Sequence, residues 1–237
     1  IYYPIGGYYI YPGPVHNTTQ DLYYSEIQPA IDEANANDVI EVAAGIYEFT
    51  SQMDIDKDGI SIVGQGDVTF QANNSGWSTT NGEKHLIGIH AGTETSPVTI
   101  SGITMDCNNQ NYGLNTYDNA YGELDNVAIN DGKGAGLTVN GSTIIATDLN
   151  TSGNAWGAVN VDPGSGVTDP SVFTLNSGTL SESYQIWSDG TNVTNQATVT
   201  VNAAGYDEYI DGDGKLWTNR ELTNCATITK NGETSIY

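Results

Sequence analysis

Positive charge is what this chain has least of. Six lysines and arginines stand against 29 aspartates and glutamates in 237 residues, a formal charge of -23. Such a surface repels phosphate backbones and anionic headgroups, which argues against nucleic-acid and membrane-surface partners. No run approaches the roughly 20 apolar residues of a membrane span. There are two cysteines, Cys107 and Cys225. One disulfide in an oxidising compartment and two isolated buried thiols are both open readings of them. Charged residues amount to 15%, below the roughly 25% of ordinary globular chains. A single arginine, Arg220, and the separated His16, His85 and His90 form no local nucleophile signature with Ser or Cys.

The chain is instead rich in Asn, Thr, Ser, Gly and Tyr, with 28 glycines and 15 tyrosines. Its polarity is that of amides and hydroxyls. Residues 1–20 read as a separate Tyr/Pro/Gly-rich arm, with Tyr2, Tyr3, Tyr8, Tyr9 and Tyr11 among prolines and glycines that rule out a regular helix. Five tyrosines are costly to leave in water, so the arm is expected to dock, on its own domain or on a neighbouring subunit by strand addition. The rest, 21–237, reads as one domain with a C-terminal cap from about 203.

A helix signal occurs once. Ser25 is the expected N-cap, with Gln28 completing a capping box, and Ile27, Ala30, Ile31 and Ala34 line one face. Short apolar alternations follow along the chain: Ile60 and Ile62, Val68 and Phe70, Ile87 and Ile89, Val98 and Ile100, Ile103 and Met105, Val127 and Ile129. Further on come Leu137 and Val139, then Ile145, Val159 and Val161, Phe173 and Leu175. Turns of Gly, Asn, Asp and Ser separate them. This pattern predicts many short strands in stacked coils, with a hairpin-built sandwich as the runner-up. Asn231-Gly232 between alternating strands predicts a C-terminal hairpin.

Ile27, Gln28, Ala30, Ile31, Ala34, Ile40, Val42, Ala43, Gly45 and Tyr47, followed by the run Asp58 to Gly66, resemble the entry of right-handed parallel β-helix proteins of the pectin-lyase-like superfamily. The resemblance implies an all-β solenoid with a short N-terminal capping helix. It leaves function open, since that superfamily includes lyases, hydrolases, phage spikes and non-catalytic surface proteins. The lyases' Arg-x-Pro and the hydrolases' Gly-His-Gly and Arg-x-Lys do not occur here.

Metal and modification signals are weak. Asp54, Asp56 and Asp58 with Gly59 match the opening of a calcium loop, but Gln65 stands where its closing Glu belongs. A turn with the aspartates outward and Ile55, Ile60 and Ile62 inward is the preferred reading, and no cofactor is expected. Sequons at Asn17, Asn73, Asn140, Asn150 and Asn192 are candidate glycosylation sites if the chain is exported. Starting at Ile1 without Met, the chain reads as processed or trimmed. The expected function is an extracellular, cell-surface structural protein. It would assemble with copies of itself into a filament, sheath or layer by strand pairing and aromatic packing, with cell-wall or surface glycans as further candidate partners. The alternatives are a carbohydrate-active enzyme and a glycan-binding adhesin or spike.

Overall fold

The computed structural model describes residues 3–5, 8–10, 13–73, 85–117, 119–161, 170–182, 185–186, 197–201, 226–230 and 233–236, with side chains in the spans from 13 to 182 and at Thr234. At the start, β1 (Tyr3–Ile5) and β2 (Tyr8–Ile10) pair antiparallel as a two-stranded sheet of their own. Next, β3 (Val15–Asn17) and β4 (Leu22–Tyr24) form another antiparallel pair, and α1 (Ile27–Asp32) follows. Then come β5 (Val39–Phe49), β6 (Met53–Ile55), β7 (Ser61–Ala72), β8 (His85–Ile89), β9 (Val98–Asp106), β10 (Tyr112–Thr116), β11 (Tyr121–Asn130) and β12 (Leu137–Val139). The remaining strands are β13 (Thr143–Ser152), β14 (Val159–Val161), β15 (Ser171–Leu175), β16 (Gly178–Leu180), β17 (Gln185–Ile186), β18 (Ala197–Val201), β19 (Ala226–Lys230) and β20 (Glu233–Ile236).

The fold is all-β, and through most of its length the chain alternates between two sheets. β6, β8, β10, β12, β14 and β17 make a six-stranded sheet in which every neighbouring pair is parallel. β5, β7, β9, β11, β13, β15, β18 and β19 run parallel in a twelve-stranded sheet, with β16 also parallel to β13, finished by antiparallel strands, β3 and β4 at one end and β20 at the other. The expected C-terminal hairpin is therefore present as β19–β20. Asn140-Gly141 is no hairpin, because β12 and β13 belong to different sheets. Part of the segment 1–20, read from the sequence as an arm, belongs to the long sheet. Val15 and Asn17 are wholly buried in β3, which pairs with Ile40–Val42 of β5.

Register puts like on like. Ile40, Ile62, Ile100, Leu124 and Ala146 follow one another across the long sheet, all at most 1% exposed. Met53, Ile87, Leu114, Leu137 and Val159 do the same in the short one. Alternating side chains let each strand bury one face while presenting Thr, Asn, Asp and Gln on the other. One expected core residue is displaced by a single position. Ile144 and Ala146 are buried, and Ile145 stands on the outer side of β13. Gly102, Asn126 and Asp148 hold equivalent places in β9, β11 and β13 with positive φ of 66°, 52° and 52°. Each bends its strand at the same level, so the long sheet turns a corner.

α1 begins one residue later than expected. Glu26 is its N-cap and no side chain caps it. Gln28 is drawn elsewhere. Its Oε1 accepts from Asp54 N at 2.9 Å and its Nε2 donates to Asp54 O at 3.0 Å. β6 is the last strand of the short sheet, so its outward backbone groups need partners, and the Gln28 amide supplies one of each kind. Lys57 Nζ donates to Ile31 O and Asp32 O, closing the C-terminal end of the helix.

Candidate functional site

The N-terminal end carries most of the polar construction. Asp38, 3% exposed, accepts from Asn17 Nδ2 at 2.8 Å, from Asn35 N at 2.8 Å and from Gln20 Nε2. Burial alone would raise its pKa, but these three donors outweigh it and hold the carboxyl below its ordinary value. One carboxylate thus ties β3, the β3–β4 turn and the segment after α1 together. Asn17 in turn accepts from Thr19 N and Gln20 N.

This cap closes only part of the end. β3 covers β5 along Ile40–Val42, and the last bond of that pairing runs from Ala43 N to Pro14 O at 2.9 Å. Beyond the corner, Asn73 N donates to Phe49 O at 2.8 Å, so Phe49 turns its backbone groups toward β7. By alternation Tyr47 does the same, and Ile46 and Glu48 turn theirs away. Among the described strands none pairs with this outward edge of β5. Ile46 is 68% exposed on it. Tyr47 and Phe49 are half-buried against the core, their rings 6.1 and 5.3 Å from that of Phe70. Outward-turned backbone donors and acceptors beside an aromatic flank are chemically suited to receiving a strand.

A second cluster lies on the outer side of the short sheet. His90 Nε2 is 2.8 Å from Asp54 Oδ1, Gln52 Nε2 donates to that same oxygen at 2.8 Å, and Tyr117 stacks on His90 with centroids 4.0 Å apart. Burial works to raise the Asp54 pKa, and the His90 and Gln52 hydrogen bonds outweigh it, leaving it lowered. Gly88 makes the room. A Cβ there would lie 2.7 Å from both Asp54 Oδ1 and Gln52 Nε2.

The three candidate calcium ligands do not converge. Asp54 serves His90, Asp56 faces Lys57 at 3.5 Å, and Asp58 accepts from Gly92 N at 2.8 Å. Among the described residues no three His, Cys, Asp or Glu side chains are grouped to hold a metal ion. Ile55, Ile60 and Ile62 do point inward, as the turn reading of this stretch expects. Tyr3, Tyr8 and Tyr9 lie in β1 and β2, while Tyr2 and Tyr11 fall outside the described residues.

Of the sequons, Asn17 is wholly buried with its amide nitrogen given to Asp38, so a glycan has no room there in the folded chain. Asn73 donates to Glu48, Asn140 to Asn115 and Asn150 to Asp148, all from part-buried positions, and Asn192 lies outside the described residues. Cys107 is a buried free thiol whose pKa is pushed up to about 12, first by burial and then by Asp106 and Asp131. Cys225 lies outside the described residues. Sequence reasoning missed Asp38 as the tie of the cap and the open edge at Ile46–Phe49. A signal for the edge was there, since Ile46 is apolar at an outward step of the alternation that sets Tyr47 and Phe49 inward.

What the fold defines is a class, an all-β protein of parallel sheets stacked around a continuous apolar interior. Compared with protein-family models, with curated proteins and with solved structures, the chain matches none. Among the described residues no helix is long and apolar enough to cross a membrane.

Proposed function

We propose that this chain is an extracellular, cell-surface structural protein that assembles with copies of itself, built as a right-handed parallel β-helix of the pectin-lyase-like kind. Alternation between two parallel sheets supports the architecture, and connections between parallel strands of one sheet are right-handed in nearly all proteins. The observation that carries the assembly reading is the half-closed N-terminal end. β5 is capped by β3 along Ile40–Val42, and among the described strands none pairs with its outward side along Ile46–Phe49. Antiparallel strands finish both ends of the long sheet, which guards against indiscriminate stacking and confines association to chosen edges. The test is negative-stain electron microscopy with sizing of the native material. Regular filaments, sheets or defined oligomers are expected, and a monomer at every concentration would end the reading.

A second reading rests on the Asp54–His90–Gln52–Tyr117 cluster, a hydrogen-bonded acid and imidazole beside a stacked ring on an open sheet face. That arrangement suits a glycan-directed site. Release of reducing or unsaturated ends from a polysaccharide panel, abolished by Asp54→Asn, would favour it over assembly.

A further inference from the structure

We propose, resting on the glycan-directed reading of the Asp54–His90–Gln52–Tyr117 cluster, that its ligand is a neutral sugar bearing free hydroxyls, and not an acidic or an amino sugar. Three successive coils build the cluster. Asp54 belongs to β6 with Gln52 just before that strand, His90 follows β8, and Tyr117 follows β10. Backbone bonds from His90 N to Ile55 O and from Tyr117 N to Ile89 O hold the three levels together. Asp54 stands opposite Gly88 in the β6–β8 pairing. Because Gly88 has no Cβ, Asp54 Oδ1, Gln52 Nε2 and His90 Nε2 converge above it, the last lying 2.9 Å from where that atom would be.

The hydrogen bonds fix where each proton sits. Gln52 Oε1 accepts from His85 N at 3.3 Å, which turns its Nε2 toward Asp54 Oδ1 at 2.8 Å and Tyr117 Oη at 3.3 Å. Both protons of that amide are thereby used. Asp54 is an ionised carboxylate and can only accept. His90 Nε2, 2.8 Å from Oδ1, therefore carries the imidazole proton, and Nδ1 keeps a lone pair in the neutral ring. Tyr117 Oη accepts from Gln52, so its own proton is left to donate. Among the described residues, Asp54 Oδ2, His90 Nδ1 and the Tyr117 O–H have no partner. The Asp54 and His90 side chains are 49% and 35% exposed, so a ligand can reach them. The cluster thus offers two acceptors and one donor. A hydroxyl donates and accepts at once and answers all three. A carboxylate or phosphate has no proton to give Asp54 or His90, and an ammonium or guanidinium has no lone pair for the Tyr117 proton. Vicinal hydroxyls of a sugar ring supply the required groups side by side. The net charge of -23 opposes a polyanionic chain in the same sense.

Two measurements on the full chain test this. Long-range proton–nitrogen spectra of the imidazoles at alkaline pH, with His90 assigned through His90→Gln, read the tautomer. A protonated Nε2 and a bare Nδ1 are expected, and a proton on Nδ1 would overturn the proposal. Calorimetry then compares glucose, mannose and galactose oligosaccharides with oligogalacturonate and glucosamine oligosaccharides of matched length. Binding of a neutral oligosaccharide is expected, weakened roughly tenfold by Tyr117→Phe, which keeps the ring on His90 and removes the outward hydroxyl. Asp54→Asn should weaken it at least as much, and Asp56→Asn, at a carboxylate turned to Lys57, should leave it unchanged. Melting profiles of the three variants are compared with the parent, so that loss of binding is separated from loss of fold. Preference for oligogalacturonate or for glucosamine chains, abolished by Asp54→Asn, would sink the neutral-sugar proposal and leave the glycan reading standing. Binding of none of them, or binding that neither Tyr117→Phe nor Asp54→Asn changes, would sink both.

Discussion

Asp38 shows how much of this fold can hang on one side chain. A buried carboxylate is costly unless hydrogen-bonded, and here three donors from three segments converge on it. Removing it strands Asn17, Gln20 and Asn35 together. Asp38→Ala is expected to cost about 3 kcal/mol in urea unfolding, against under 1 kcal/mol for exposed Asp56→Ala. The pH dependence has a definite sign. Asp38 and Asp54 are both lowered in the folded chain. Their contribution is present above the unfolded carboxylate pKa and is lost as pH falls through the lower folded values. Acid unfolding of the parent should therefore show a loss in that window, and Asp38→Asn should flatten it. Gln28 works at the same scale. Gln28→Ala leaves Asp54 N and O without their partners and should cost about 1–2 kcal/mol by the same measurement.

At the scale of elements, the corner of the long sheet and the outward edge of β5 are the two decisive features. Asn126 holds a left-handed conformation between β-strand residues, a place that glycine fills freely and a β-branched residue fills at a cost. Asn126→Gly should unfold at nearly the parental urea concentration, whereas Asn126→Val should lose about 1–2 kcal/mol. The edge of β5 can be probed without touching the ladder behind it. Glu48 turns its N–H away from β7, so Glu48→Pro removes an outward donor and the exposed side-chain bond from Asn73 but no bond of the β5–β7 ladder. Parental melting with loss of oligomers on a sizing column is the expected outcome, and retained oligomers would take this edge out of the contact.

For the whole molecule, charge is the dominant constraint. At -23 two copies repel at neutral pH, and exposed charges more than about 10 Å apart are largely screened at 0.1 M salt. Assembly through strand pairing should therefore strengthen from about 10 mM to 0.5 M sodium chloride, and again as pH approaches the isoelectric point near 4.1. Light scattering across that series would read it directly. Weakening with salt would mean that specific ion pairs, and not backbone pairing, hold the copies together.

The all-β character, the short helix α1 and most of the buried positions were legible in the amino-acid sequence, because they follow from periodicity alone. Ile60, Ile62, Val68, Phe70, Ile87 and Ile89 alternate as a strand must if one face is to leave water, and all are buried. Ile27, Ala30, Ile31 and Ala34 face inward for the matching reason at helical spacing. The exceptions depend on contacts between distant residues. Gln28 fits a capping box locally, yet β6 lies nearby with unpaired backbone groups and takes the amide instead. Ile145 yields the interior to Ile144 because pairing with β11 sets the phase of β13. Asn17 reads as a glycan acceptor until Asp38, 21 residues on, is seen to hold its nitrogen. Local spacing thus determined which residues leave water. Which buried polar groups meet, and which edge is left open, was decided only when the strands stacked and every backbone donor and acceptor had to find, or go without, a partner.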